Sequence, residues 1–411
     1  MTAINAGDTA FVLVCTALVM MMTPALALFY GGLVRDRDVL SIMIQNFVCI
    51  GVVGIIWVFG GFSLAFGPSL GGMIGNIGSY FGMYHVGVEP NANYAGDVPF
   101  ILVFGYQMMF AIITPALMTG AFVGRIRFAA YLWFVALWTI IVYLPVAHWI
   151  WGGGFLSRLG VVDFAGGIVI HASAGISALV TARYLGRRAV AEGSSAPASL
   201  PLVALGAGLL WFGWFGFNAG GAYGADALAA YAFTNTMLAG SVAMLVWMFW
   251  EWRETGHPTF SGLLVGAVTG LATITPASGY VEPMAALLIG AVGATACYYA
   301  KYIQSWLKVD DTLEVFRAHG VGGITGSILI GLLASSHINA VSAGPRQLLV
   351  QVVGILVVVI YAAVVTAVIL RVLDRFGKLR VAEDVQREGL DEKFLGEQAF
   401  GLWNMKTGIK N

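Results

Sequence analysis

Long apolar runs alternate with short polar or glycine-rich segments over most of the chain. A helix needs about 20 mainly apolar residues to cross a hydrocarbon core about 30 Å thick. On this rule the pattern predicts eleven membrane-spanning helices and is weakest for the eighth and tenth. The predicted bounds are 9–32, 42–66, 98–122, 129–150, 163–185, 200–220, 233–252, 259–279, 283–305, 318–335 and 347–373. The sequence therefore indicates an all-α integral membrane protein, with a transmembrane domain over 1–373 and a polar tail over 374–411.

Charged residues predict the orientation of these helices. If the N-terminus lies outside and the spans alternate, every Lys and Arg except Arg158 and Arg346 falls on the inner side. Cytoplasmic loops of membrane proteins carry an excess of Lys and Arg. The distribution therefore predicts an outside N-terminus, an inside C-terminus and an odd number of spans.

Composition supports the membrane class. Hydrophobic residues make up 59% of the chain and charged residues only 10%, whereas soluble domains carry about 25% charged residues. The net charge of zero argues against a nucleic-acid partner. Cys15, Cys49 and Cys297 lie in apolar runs at unrelated spacings, so we expect core cysteines rather than a disulfide or a metal site. No Lys or Arg precedes the first apolar run, so we expect it to be retained as a span.

An internal repeat relates the fifth and tenth predicted spans. Asp163 precedes His171 by eight residues, and Asp311 precedes His319 by eight. Because the two spans are five apart in the chain, they enter the membrane from opposite faces. This arrangement is typical of inverted-topology repeats, whose sites lie near the bilayer midplane. The sequence therefore predicts two inverted five-helix repeats.

The repeat also predicts that the two histidines meet. Asp163 precedes an apolar segment and is expected to be its N-cap, and His171 then lies about 12 Å along the helix axis. With His319 at a similar distance from the inner acid, the two rings lie about 6 Å apart in depth within a core of about 30 Å. Each histidine alone is consistent with a core residue bonded to a backbone carbonyl. The mirrored pair favours a site for a proton or a polar solute, and a metal is not expected because no Cys, Asp or Glu lies at the same depth.

Aromatic residues near the outer span ends form a second candidate set. An interfacial aromatic belt is one interpretation, and a cage for a cation is the other. Phe110 and Phe217 lie inside their spans, which favours a pore lining. His85, His148, His257 and His337 fall in loops or near span ends, where structural or solvated roles are expected. The aromatic set comprises Tyr106, Phe110, Trp149, Trp151, Trp214 and Phe217.

Several motifs resemble the ammonium transporter family, the Amt/Mep relatives of the Rh proteins. They cover nearly the whole chain: ALFYGGLVR, YQMMFAIITPAL, GRIRF, HWIWGGG, DFAGGIVIH, WFGWFGFNAGG, DDTLEVFRAHGVGG and EGLDEKFLGEQAF. The resemblance implies an eleven-helix, N-out fold that assembles as a homotrimer with one pore in each subunit. It also implies a multi-pass protein of the inner (plasma) membrane that transports ammonium or ammonia, with no enzymatic activity and no cofactor.

The resemblance assigns roles to individual residues. Trp151 and Phe110 match the outer ammonium site, with Tyr106 and Trp214 in the same region and Asp163 supporting the site without lining it. Phe110 and Phe217 match the phenylalanine gate, and His171 and His319 match the twin-histidine pair of the pore. The chain departs from the family pattern at three positions, which are Gly221 in place of a serine of the outer site, Glu314 in place of Asp, and Arg317 in place of a small residue.

The implied mechanism is that ammonium binds outside and loses its proton, ammonia passes the histidine pair, and the proton crosses by a separate hydrogen-bonded route. Two alternatives remain open. One is a membrane sensor of ammonium, although the tail is too short for a signalling domain. The other is a channel for water or a neutral gas.

The segment 388–400 resembles the regulatory tail of the family, which docks under the trimer and helps to bind a PII-type signal protein. Leu390, Phe394 and Leu395 form a small apolar face at helical spacing, with acidic residues around it. We therefore expect docking onto basic inner loops, for example at Arg125 and Arg127. A freely solvated tail is the alternative.

Overall fold

The fold was analysed in a computed structural model, which describes residues 4–190, 196–377 and 379–400. In these ranges the α-helices are α1 Ala6–Leu33, α2 Val39–Ile56, α3 Phe62–Phe66, α4 Phe100–Leu117, α5 Phe128–Trp138, α6 Leu144–Ile150, α7 Phe155–Leu159, α8 Ser173–Leu185, α9 Leu200–Ala219, α10 Ala227–Thr255, α11 Phe260–Ile274, α12 Pro283–Tyr299, α13 Lys301–Leu307, α14 Gly322–Leu333, α15 Pro345–Phe376 and α16 Glu383–Glu388.

Short irregular helices interrupt or extend these elements. The π-helical turns are Trp57–Gly61, Thr139–Tyr143, Gly167–Ala172, Phe316–Val321 and Asp391–Leu395, and the 3₁₀ turns are Phe81–Met83, Met118–Ala121 and Gly220–Ala222. Two small antiparallel hairpins lie in the glycine-rich loop after α3. They pair β1 Ser69–Leu70 with β2 Ile74–Gly75, and β3 Pro90–Asn91 with β4 Ala95–Pro99.

The helices confirm the all-α membrane class. Within the described ranges, ten helical segments are long and apolar enough to cross a membrane. The eighth predicted span, 259–279, is the shorter helix α11, whose 15 residues extend about 22 Å. It ends near Pro276, as expected because the residue before a proline disfavours helical geometry. The chain is a multi-pass membrane protein, and the count of eleven crossings and the outside N-terminus stay predictions.

The two predicted repeat units share a local distortion. His171 lies in the π turn Gly167–Ala172 before α8, and His319 lies in the π turn Phe316–Val321 before α14. Such turns insert an extra residue into a helix and often occur at functional sites. The two distorted helices pack against each other, with α15 alongside both α8 and α14.

The tail packs against basic inner loops, as expected, but its partners there are backbone groups rather than its acidic side chains. The Arg35 guanidinium donates to the backbone oxygens of Gln386 and Arg387. The tail backbone pairs with the loop after α4, where Val381 N–H donates to Arg125 O (2.8 Å) and Arg127 N–H donates to Leu379 O (2.9 Å). The Arg125 guanidinium instead donates to Gly186 O and Ala121 O. Backbone pairing, rather than attraction between side-chain charges, therefore holds this part of the tail.

The end of the tail is held by Asp391, whose carboxylate caps the N-terminus of α2. Asp391 accepts N–H bonds from Leu40 (2.9 Å) and Ser41 (2.7 Å) at the start of α2. Of the predicted apolar face, Leu390 is buried whereas Phe394 is 49% exposed. Asp391 therefore fixes this segment at a helix N-terminus, where a carboxylate is stabilised by free N–H groups.

Candidate functional site

An open cavity of about 340 Å³ lies beside the glycine run that follows α6. We name it the outer cavity, after the predicted orientation. Five of the predicted site residues line it: Tyr106, Phe110, Trp151, Asp163 and Gly221. Tyr94, Gln107, Phe164, Tyr223 and Tyr280, among others, complete the wall. The structure therefore brings most of the predicted outer set together around one aromatic space.

Trp151 owes its position to the glycines after it. Helix α6 ends at Ile150, and Gly153 adopts φ +78°, a left-handed conformation that glycine reaches without steric cost. The Trp151 indole Nε1 donates to Asp163 O at 2.8 Å. Its ring lies 6.2 Å from the Phe110 ring at a steep angle of 76°. The indole is thus fixed by its N–H bond, and the residue lines the cavity.

Phe110 and Phe217 contact each other between two cavities. Their ring centroids lie 4.6 Å apart, and both side chains are buried. Phe110 lines the outer cavity, whereas Phe217 lines a second, smaller space. Tyr106 fixes the pair, because its hydroxyl donates to Gly216 O and Phe217 O while its ring packs on Phe110 at 4.8 Å.

Asp163 is the N-cap that the sequence predicted. One carboxylate oxygen accepts the N–H groups of Gly166 and Gly167, and the other accepts those of Ile168 and Val169, at 2.7 to 3.0 Å. Four donors on one carboxylate satisfy the free N–H groups at the start of a helix. Asp163 also borders the outer cavity, which differs from the expectation that it supports the site without lining it.

His171 and His319 make the contact that the repeat predicted. Their Nδ1 atoms lie 3.2 Å apart, and the rings are nearly parallel at 14°. They line a closed space of about 10 Å³, which is roughly the room that one water molecule needs. Apart from the histidines and one tryptophan, its lining is apolar, and it is formed by Met22, Leu26, Ile113, Leu117, Leu210, Phe217 and Val268. We name this space the histidine cavity.

Trp214 belongs to the histidine cavity rather than to the outer cavity. Its ring stacks on His171 at 5.5 Å, and its Nε1 donates to Thr275 Oγ1 at 2.9 Å. Helix α9 carries Trp214 three residues before Phe217, so the two side chains lie on the same face about one turn apart. The sequence predicts Trp214 in the outer set because spacing along the chain does not fix the depth of each residue.

His148 and Trp149 are both buried, and their ring nitrogens bind other parts of the chain. His148 is fully buried and binds Ala65 O at 2.9 Å and Ser69 Oγ at 2.8 Å, so both ring nitrogens have partners. Trp149 is buried, and its Nε1 donates to Met73 O. Trp149 therefore does not lie in an exposed belt, and it does not line the outer cavity.

Tyr223 also lies in the outer wall, although the sequence did not predict it there. It follows the 3₁₀ turn Gly220–Ala222 and has φ +55°, a left-handed conformation that is uncommon outside glycine. Gln107 Nε2 donates to its hydroxyl at 2.7 Å, and its ring packs on Tyr106 at 5.5 Å. A lone tyrosine in a glycine-rich loop carries no sequence signal for this placement.

Asp311, the counterpart of Asp163 in the second repeat unit, has a different set of hydrogen-bond partners. Asp311 Oδ2 accepts bonds from Phe316 N–H (2.7 Å) and from Gln304 Nε2 (3.0 Å), while Oδ1 has no hydrogen-bond partner among the residues that the structure describes. Burial raises the pKa of the Asp311 carboxyl to about 6, although the N–H bonds and nearby Arg125 act in the opposite direction. Over the described ranges, no cluster of His, Cys, Asp and Glu side chains forms a metal site.

The chain is similar to known proteins over nearly its whole length. A family model described as Ammonium Transporter Family matches residues 10–400. A relative named ammonium transporter from Aquifex aeolicus is 45% identical, over 97% of this chain and 94% of its own length. Another of the same name from Bacillus subtilis is 42% identical, over 96% of this chain and 98% of its own.

Solved structures show the same fold. The crystal structure of Saccharomyces cerevisiae Mep2 matches with a TM-score of 0.87 at 35% identity, over 93% of this chain and 89% of that one. A structure titled Sensor Amt Protein matches with a TM-score of 0.87 at 27% identity, over 95% of this chain and 98% of that one. These relatives are membrane transporters or a sensor of the same fold and not enzymes. From its sequence and its fold, this chain belongs to the ammonium transporter family.

Proposed function

We propose that the protein transports ammonium across the plasma membrane by binding the cation in the outer cavity and conducting ammonia through the histidine cavity. The observation that carries this proposal is the succession of an aromatic cavity, a closed pair of phenylalanines and a narrow apolar space with two histidines. The family of the chain and the names of its relatives support ammonium as the solute.

The outer cavity suits a small cation. The faces of Trp and Phe rings attract cations with about 1–2 kcal/mol each when the site is desolvated. Trp151 and Phe110 border the same space, so a cation there meets two rings. Position 221 is a glycine and supplies no hydroxyl of its own, so we propose that water or backbone carbonyls solvate this side of the ion.

The histidine cavity suits a neutral solute. A charged ammonium ion in this apolar space would lose its hydration at a cost of several kcal/mol. Ammonia, in contrast, can accept a hydrogen bond from one imidazole and donate one to another. We therefore propose that deprotonation precedes passage and that the proton crosses by a separate route. Potassium is then excluded because it has no proton to lose.

We further propose that the protein forms a homotrimer with one pore in each subunit and that a PII-type signal protein binds its cytoplasmic face. Lipid-facing side chains such as Leu356, Ile360 and Val364 on α15 are exposed, which is consistent with contact with the bilayer.

Purified protein in liposomes tests the function directly. We expect a transient current or an internal pH change on addition of ammonium, a smaller response to methylammonium and none to potassium. Empty liposomes serve as the control. Ammonium binding without any flux would instead support the sensor, and equal passage of water or other neutral solutes would support a neutral channel.

Trp151→Leu is expected to weaken ammonium binding. Loss of one cation–π face of about 1–2 kcal/mol corresponds to an approximately 5- to 30-fold higher half-saturating ammonium concentration. The concentration dependence of flux in liposomes measures this change. Trp133→Leu is a matched control, because Trp133 on α5 is 65% exposed and does not line the outer cavity. Equal affinities in all three proteins would leave Trp151 without a role in binding.

Asp391→Ala is expected to release the end of the tail. The substitution removes the carboxylate that caps α2, and loss of such a cap costs about 1 kcal/mol, or a factor of about five in the local opening equilibrium. Trypsin cleavage after Arg387 and Lys393 should accelerate accordingly. Glu397→Gln, an exposed acid of the same segment, serves as the control.

Deletion of 388–411 extends this test to regulation. A tail that regulates transport predicts altered ammonium flux and lost binding of a PII-type protein. Wild-type flux and wild-type binding in the truncated protein would make the tail a passive segment.

A further inference from the structure

We infer that Arg317 is a positioning residue for the pore histidine His319, and that it acts as one unit with Glu314. The inference rests on the proposed function, because it concerns the histidine cavity through which ammonia passes. Arg317 lies two residues before His319, within the same π turn Phe316–Val321. Its side chain is only 7% exposed, although it carries a permanent charge. A buried arginine is stable only if its charge and its donors have partners.

The guanidinium caps the end of a neighbouring helix. Its Nε donates to Cys297 O and one terminal nitrogen donates to Tyr298 O, both at 3.0 Å. These two carbonyls belong to the last turn of α12, where backbone acceptors lack partners within the helix. A cation at a helix C-terminus is also favoured by the helix dipole. Arg317 therefore ties the π turn to the end of α12.

Arg317 makes two further contacts, with Glu314 and Trp247. We name the set of contacts that Arg317 makes with Cys297, Tyr298, Glu314 and Trp247 the clamp. The other terminal nitrogen of Arg317 forms an ion pair with Glu314 Oε1 at 2.6 Å. The guanidinium carbon also lies 5.0 Å from the centre of the Trp247 ring on α10, which is within cation–π range. The clamp thus joins the start of the tenth span to both α10 and α12.

Glu314 holds an unusual backbone conformation at the start of this turn. Its φ of +61° lies in the left-handed region, which costs a non-glycine residue about 1 kcal/mol or more. Such a conformation persists when surrounding contacts fix it. The ion pair with Arg317 is one such contact, so removal of either charge should loosen the same turn.

The position of this turn determines whether the histidines meet. The backbone of Gly320, next to His319, packs directly against Gly175 of α8. The Nδ1 atoms of His171 and His319 are separated by 3.2 Å, so a displacement of about 1 Å takes them out of hydrogen-bond range. The contacts of Arg317 hold the turn against α10 and α12, while the Gly175 contact holds it against α8.

The pairing of Glu314 with Arg317 explains why two departures from the family motif occur in the same segment. Glu314 and Arg317 are two of the three positions at which the chain departs from the motif that it resembles. In the structure they are partners of each other. Neither Arg317 nor Glu314 lines the histidine cavity, so the pair acts on the pore through the position of His319.

Flux measurements in liposomes test the unit, with the variants Arg317→Met, Arg317→Lys, Glu314→Gln and the double variant Glu314→Gln/Arg317→Met. We expect Arg317→Met to lower the maximal ammonium flux about 10-fold or more, because misplacement by about 1 Å has effects of this size. The half-saturating concentration should stay unchanged, since the outer cavity is intact. Arg317→Lys should recover part of the flux, and the double variant should be no worse than Arg317→Met.

Arg253→Met is the control for loss of a positive charge, because Arg253 is exposed at the end of α10. Glu314→Gln keeps the shape of the side chain, so it tests the ion pair even if Arg317→Met folds poorly. Wild-type maximal flux in Glu314→Gln and Arg317→Met would overturn the inference, as would a double variant whose losses multiply. If the wild-type protein itself conducts no ammonium, the proposed function fails instead.

A structure of Arg317→Met gives a second, independent test. We expect the Nδ1 atoms of the two histidines to lie more than 3.5 Å apart in that variant. An unchanged histidine pair together with reduced flux would overturn the positioning role.

Discussion

Asp163→Ala should abolish ammonium flux and destabilise the protein by several kcal/mol. The variant leaves four N–H groups without their acceptor at the start of the segment that carries His171. A buried donor that loses its partner costs about 1–3 kcal/mol. The same segment also provides Asp163 O, which orients Trp151. Loss of the cap therefore disturbs the outer cavity and the histidine cavity together.

Thermal unfolding in detergent and flux in liposomes measure this effect. Asp226→Ala is the matched control, since Asp226 is also a helix N-cap but is exposed, and among the described residues it accepts a single N–H bond, from Ala229. We expect Asp226→Ala to cost about 1 kcal/mol and to leave flux unchanged. Asp163→Glu keeps the charge but moves the carboxylate away from the N–H groups, so it should also lose flux. Normal transport by Asp163→Glu would mean that precise capping is unimportant.

Gly175→Val should eliminate most of the ammonium flux without any change in the outer cavity. Gly175 lies in α8, one turn after His171, and a Cβ atom there would overlap the backbone N and Cα atoms of Gly320. Because both contacts are backbone atoms, relief requires a shift of the two helices. The shift separates His171 from His319, and their Nδ1 contact of 3.2 Å is lost.

The control for this variant is Gly208→Val in α9. A Cβ atom at Gly208 would meet no atom within 4 Å, so the substitution changes helix propensity without a clash. We expect wild-type flux from Gly208→Val and at least a 10-fold loss from Gly175→Val, with Gly175→Ala between them. The half-saturating ammonium concentration should be the same in every variant that conducts. Equal flux from Gly175→Val and Gly208→Val would contradict the close approach of the two helices.

The sequence by itself determined the features that depend on local or periodic physics. Apolar runs of about 20 residues predicted nearly every span, because the thickness of the bilayer fixes the length of a crossing helix. The equal spacing of Asp163 to His171 and of Asp311 to His319 predicted their contact, since the rise per residue of a helix is constant. Asp163 was predicted as an N-cap because capping requires only residues close in the chain.

Only the tertiary structure decided the features that depend on helix rotation, depth and distant partners. Trp214 lies beside His171 rather than in the outer cavity because the depth of α9 relative to its neighbours sets its level. The tail binds through Asp391 and backbone pairing, although its charges suggested Arg125 and Arg127. Arg317 finds its carbonyl partners about 20 residues earlier in the chain, at the end of α12. Propensity and spacing describe each helix separately, whereas these contacts arise from how separate helices pack, and packing is a property of the whole chain.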